Sequence, residues 1–344
     1  MPPIPVSFTS KCGEHIVVKS GDDLAVGSDD YISWHLLNRA RDASNLAFTK
    51  AGHPALRVSA AYLPDVEPRS FAYWSPTAPR DYVIACARGT SEVLRRTLID
   101  AEFRYLLPPT SLALHRLHID DLTALAASLT IATILYHEVA HVFRFHLPYL
   151  TERKAAEPIS LPTLTGLCEA DADKWCSYLI APELLAQAKG IHEALRLFVP
   201  IESVLREVLT LYGIALHVWF AFFNQNTFPK SSIYPHPLIR STRITIGAAD
   251  NIPMTPTEEP HTMDRALSVL NGLAAVEQAM MRSAGSNQHP FDLAEELVAV
   301  NAKFAEIERV LDPALREVES RWRSPNARKA SGVAGAVLSS RRVQ

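Results

Sequence analysis

The residues best placed to do chemistry are His137-Glu138-Val139-Ala140-His141. On a helix of 3.6 residues per turn, His137 and His141 stand one above the other on one face. Two imidazoles at that spacing can bind one zinc ion. Glu138, rotated by about 100°, can hold a water at the open position of that ion. Val139 and Ala140 can pack into the core and keep the helix rigid. A polar trio in an otherwise uncharged helix also needs a partner for its buried charge, and a metal ion supplies one.

Two histidines do not complete such a site, because a catalytic zinc takes three protein ligands and a water. The candidate third ligand is Glu169, in Cys168-Glu169-Ala170-Asp171-Ala172-Asp173, 28 residues beyond His141. A connection of that length lets a second helix fold back against the first. Asp173, one turn further along the same face, can accept the ring N–H of a ligand histidine and fix its tautomer. Asp171 points elsewhere on that helix and reads as a surface residue. His146, roughly 140° off the face of His141, reads as structural or exposed.

The elements that must position these residues are legible in outline. Val6–Ser10, His15–Val18, Leu56–Ala61, Phe71–Trp74 and Tyr82–Ala87 are short β-branched or aromatic runs bounded by turn residues. Tyr31–Ala40 looks helical, and a helix begins at Ser91. From Leu107 the strand signals nearly stop. Asp120 or Asp121 can cap a long helix reaching Leu147, where Pro148 ends it. Glu152–Thr163 reads as a polar loop, Gly166–Ile180 as a second helix, and Pro182 as the start of a third. Pro200 opens an apolar helix reaching Phe223, Asn224–Pro235 is a loop, and Pro237 starts a short helix.

Asn251–Pro260 is a linker with three prolines. Helices at about 262–282 and 292–311 follow, the latter with a capping box at Asp292 and Glu295. Leu293, Leu297, Val300, Phe304, Ile307 and Leu311 form a narrow seam, suited to packing on the same chain or to a homodimer. The expected class is α+β, predominantly helical, with a small N-terminal β-sheet and C-terminal helices. The expected divisions are a mixed segment 1–54, a catalytic domain 55–250, a helical region 251–323 and a solvated tail 324–344.

Composition excludes several classes. The 344 residues are 48% apolar and 21% charged, which suits a packed core rather than a disordered chain or a coiled-coil rod. Lys plus Arg is 34 and Asp plus Glu is 37, so no basic footprint for nucleic acid is present. The start of the chain carries no signal-peptide pattern. The charge-free stretches Leu122–Tyr136 and Val208–Phe223 fall short of the roughly 20 residues that span a bilayer, so wholly buried helices are expected. Cys12, Cys86, Cys168 and Cys176 form no CxxC pair, which suits reduced thiols in the cytoplasm.

The motif order resembles the gluzincin metallopeptidases, especially peptidase family M48, over residues 55–245. The resemblance rests on HExxH, on Glu169-x-x-Ala172-Asp173, and on His236-Pro237 followed by Arg240 and Arg243-Ile244. Phe71-Ala72-Tyr73-Trp74 and Tyr82–Cys86 resemble the edge strand and hairpin before that family's zinc helix. A phage-exclusion protease of the Lit type is a looser likeness. The resemblance implies a zincin-like core, a Zn2+ cofactor held by His137, His141 and Glu169, and hydrolysis of a protein or peptide with Glu138 as general base. It implies His236 as a donor to the oxyanion, with Arg240 or Arg243 supporting it, and an extended substrate added to the Phe71–Trp74 strand. The family's arginine falls six residues after its histidine; here Arg240 falls four and Arg243 seven after His236, so both stay open. Two other readings stand beside this one: a catalytically silent interaction module on the same fold, and a membrane-associated protease of the M48 type.

Overall fold

The computed structural model describes residues 7–9, 15–17, 28–156, 161–222, 237–252, 262–283, 298, 301–302 and 304–322. These are predominantly helical, with a three-stranded sheet and a two-stranded antiparallel pair, β1 (Ser7–Thr9) with β2 (His15–Val17). The chain divides into two compact units, neither of them a continuous stretch. One takes residues 1–91, 134–172 and 305–344, and the other takes 92–133 and 173–304.

The first unit is built on α1 (Asp29–Lys50) and the strands β3 (Arg57–Leu63), β4 (Ser70–Ser75) and β5 (Ala78–Ala87). Ser28 caps α1 by accepting the Tyr31 N–H at 3.1 Å. The strand order is β3-β5-β4, with β5 parallel to β3 and antiparallel to β4. β5 is therefore the central strand, and its end Ile84–Ala87 is wholly buried, as a strand flanked on both edges requires. Asn45 on α1 closes the far edge of β3. Its amide donates to Val58 O at 2.9 Å and accepts the Val58 N–H at 2.8 Å, as a neighbouring strand would.

The long apolar helix α3 (Ile119–Phe143) enters this unit from Ile134 onward. It stops at Phe143 rather than near Leu147. Phe145 takes a left-handed φ of 56°, which breaks the helix before Pro148 is reached. Pro148 then sits in the first turn of α4 (His146–Ala156), where its missing N–H removes no helix bond. The polar stretch expected as a loop from Glu152 is thus helical as far as Ala156.

The two helices expected either side of Pro182 are one, α5 (Leu161–Ala194). Proline removes one backbone bond there, but Ile180, Ala181 and Leu184 around it are all fully buried, and their packing carries the helix across. The first unit closes with a π-turn (Ile307–Leu311) leading into α9 (Asp312–Trp322). Ile307 and Leu311 of the expected seam are fully buried; Leu293, Leu297, Val300 and the Asp292–Glu295 capping box lie outside the described residues.

The second unit includes the end of α2 (Arg88–Asp100), the first part of α3 and the remainder of α5. α6 (Ile201–Phe222), α7 (Pro237–Asp250) and α8 (Thr262–Ser283) pack on one another within it. α6 buries residues on every face from Val208 to Trp219, which explains an apolar run with no amphipathic period. By length and composition α3 and α6 could each cross a membrane; most of the apolar stretch of each is buried inside the protein.

Candidate metal centre

The centre is assembled by the last two turns of α3 and the second and third turns of α5, all within the first unit. The i, i+4 spacing stacks His137 over His141 as the sequence requires. α5 returns against them and delivers Glu169. Among the described residues, His137, His141 and Glu169 form one group whose ligand atoms lie together closely enough to hold a metal ion.

The donor atoms form a compact triangle. His137 Nε2 is 3.0 Å from Glu169 Oε2 and 3.1 Å from His141 Nε2. His141 Nε2 is 3.6 Å from Glu169 Oε2. Zinc bonds of about 2.0–2.2 Å put neighbouring tetrahedral ligands about 3.3–3.6 Å apart. One edge falls in that range and the other two are slightly shorter, so the triangle is a little tighter than one tetrahedral face; its N,N,O donor set suits zinc. The two histidines are buried, 8% and 6% exposed.

Glu138 stands beside this triangle and is steered by the sheet. Ala87 donates its N–H to Arg69 O at 2.9 Å, which places Phe71 and Tyr73 in the bonded pairs with β5. The alternation of an antiparallel ladder then turns the N–H and C=O of Ala72 away from β5. That outward N–H is taken by the Glu138 carboxylate. The edge strand expected to receive a peptide thus already uses one of its donors to hold the candidate base.

The electrostatics separate the two glutamates. Burial pushes the Glu138 carboxyl up, against the pull of His137, His141 and the Ala72 N–H. Burial acts on Glu169 in the same sense, but His141 and His137 outweigh it and hold that carboxyl well below the usual range. Glu169 is therefore the ionised, ligand-like acid, and Glu138 the more basic one. Cys86, near Glu138, has its thiol pushed up to about 12 by burial and is inert at neutral pH.

The remaining sequence candidates belong to the second unit or fall outside what is described. Arg240 grips Asp173 with two hydrogen bonds, Nε to Oδ2 and Nη2 to Oδ1, both 2.8 Å. The Arg240 guanidinium also lies over the Phe220 ring. Arg243 lies over the Phe304 ring, and burial pulls its pKa down to about 10. The two arginines are thus told apart: one is fixed on a carboxylate, the other on an aromatic face. His236 lies outside the described residues.

Of the two residues set aside from the site, His146, read as structural or exposed, is structural, and Asp171, read as a surface residue, is buried. His146 is fully buried, and its Nδ1 is 3.0 Å from His141 Nδ1. The helical-wheel angle fails because α3 breaks at Phe145 and His146 belongs to the next helix. Asp171 is 1% exposed rather than on the surface; it receives His146 Nε2 at 2.9 Å and Arg144 Nε at 2.7 Å. It does face away from Glu169, but α4 and Arg144 cover that side. The only sequence signal for this cluster was the placing of an arginine, a histidine and an aspartate beside the motif residues. No family model, no curated protein and no solved structure matches the chain.

Proposed function

We propose that the chain is a zinc-dependent endopeptidase with a zincin-like core, acting on a protein or peptide substrate. The observation that carries this reading is the convergence of His137, His141 and Glu169 into one group of candidate ligands, with Glu138 held at its side by the backbone of an edge strand. The motif resemblance to the M48 gluzincins supports it, because HExxH and Glu169-x-x-Ala172-Asp173 carry that family's residue types in the same order, although the arginine spacing after His236 departs from it. A purely structural zinc would need no carboxylate at Glu138, which weighs against a silent module.

Zinc, when bound by His137, His141 and Glu169, would acidify a water and polarise the scissile carbonyl. Glu138 then takes the proton of the attacking water and delivers it to the leaving amine. The Ala72 N–H keeps its carboxylate aimed throughout. A carboxyl raised by burial is a stronger base than a solvated one, which suits that task. His236 is the residue that the resemblance offers as donor to the developing oxyanion. Arg240 or Arg243 is the supporting residue that the resemblance offers beside it.

Elemental analysis of the native protein tests the reading. One zinc per chain is expected, lost in a His137→Ala, His141→Ala double variant. Stoichiometric zinc retained by that double variant would sink the assignment.

A further inference from the structure

We propose that His146 is a positioning residue that locks the tautomer of His141, with Asp171 and Arg144 setting the direction of the lock. The inference rests on the zinc reading and goes beyond it, since neither His146 nor Asp171 is a ligand.

The direction follows from donors and acceptors taken in turn. Arg144 Nε donates to Asp171 Oδ2 at 2.7 Å, so Asp171 is an anion with a cation on it and has no proton to give. The same oxygen faces His146 Nε2 at 2.9 Å. That nitrogen must carry the hydrogen, because a bare lone pair there would face a carboxylate with both groups buried. A neutral imidazole has one N–H, so His146 Nδ1 is left as an acceptor. His141 Nδ1, at 3.0 Å, must then be the donor. This leaves His141 Nε2 bare and aimed at His137 Nε2 and Glu169 Oε2, the orientation a metal ligand needs.

The reverse tautomer fails at both ends. A hydrogen on His146 Nδ1 would push His141 to its Nε2–H form and point that hydrogen into the metal face. It would also leave the Asp171 carboxylate against a lone pair. The relay is anchored at its far end too. Arg144 Nη2 donates to Asp312 at the start of α9, so the C-terminal helix holds the arginine that holds Asp171. His146 and Asp171 are 0% and 1% exposed, which shields the bond between them from solvent.

The test reads zinc affinity and tautomers together. The Zn2+ dissociation constant of the full chain is measured by competition with a chromophoric chelator. His146→Leu should weaken it by about 10–100-fold, the usual effect of removing an orienting partner. His146→Asn, whose amide oxygen can occupy the place of Nδ1 and accept from His141, should recover part of that loss; a side chain that merely filled space would show no such rescue. Long-range 1H–15N spectra of 15N-histidine-labelled wild type should show His146 as Nε2–H and His141 as Nδ1–H, a readout that does not depend on any variant folding. His146 carrying its hydrogen on Nδ1 overturns the lock. So does a folded His146→Leu that binds zinc as wild type does. Wild type that takes up no zinc overturns the metal reading and the lock with it, a result distinct from zinc that binds regardless of His146.

Discussion

At Glu138 the residue scale decides the chemistry. Its neighbours on α3 are candidate ligands by spacing, and Glu138 becomes a candidate base because Ala72 on another element bonds its carboxylate. Glu138→Gln should keep the fold and the zinc, since the amide can still accept the Ala72 N–H. It should lose about 10²–10⁴ in kcat, because an amide cannot take the water proton. Zinc content and peptidase rate measured on the same preparation check this; equal rates would remove Glu138 from the mechanism. His137, Glu138, His141 and Glu169 were legible in the sequence because helical spacing is a local property. His146 was not, because a wheel drawn through Phe145 assumes a straight helix, and one left-handed residue re-aims the side chain after it. Asp171 was misplaced for a related reason: the side of α5 it faces is known, but what covers that side comes from α4 and Arg144.

Elements were legible where one residue type enforces a boundary, and illegible where packing overrides it. Pro200 and Pro237 stand where α6 and α7 begin, as expected; Pro182 begins nothing, because buried neighbours carry α5 through it. The pairing of α6 with α8 shows the same precedence of packing. Gly213 and Gly272 face each other's helices: a Cβ on Gly213 would stand 2.9 Å from Val269 O, and one on Gly272 would overlap Thr210 O. Thr210 donates to Ser268 O at 3.0 Å, and Arg265 clasps Glu202 at 2.9 and 2.7 Å across the same two helices. No periodicity in the sequence points to that approach, since a glycine inside an apolar helix signals only a weak helix former. Gly272→Ala should destabilise the chain by about 1–3 kcal/mol, the range for forcing bulk into a packed contact. The alanine raises intrinsic helix propensity, so a stabilised variant in urea unfolding would show that the helices can part without cost.

On the scale of the whole molecule, the candidate metal ligands all fall in one of the two units. His137, His141, Glu169 and the relay through His146, Asp171, Arg144 and Asp312 all lie in residues 134–172 and 305–344. A ligand that binds only the folded chain stabilises it by RT ln(1 + [L]/Kd), about 2.7 kcal/mol at one hundred times Kd. That stabilisation is felt where opening would break the site, so it should be uneven along the chain. Hydrogen exchange of zinc-loaded and chelator-stripped protein should show the unevenness. Backbone amides of α4, of α5 up to Ala172 and of α9 should exchange faster after stripping. Those of α6 and α8, held by Arg265–Glu202 and the glycine contact, should change little. Acidification should reproduce the stripped pattern, because protons compete with the metal for its ligands and falling pH releases the ion. Equal deprotection of α6 and α8 would mean that the metal stabilises the chain as one cooperative body. No change anywhere would mean that the His137, His141 and Glu169 face is held by its own hydrogen bonds alone.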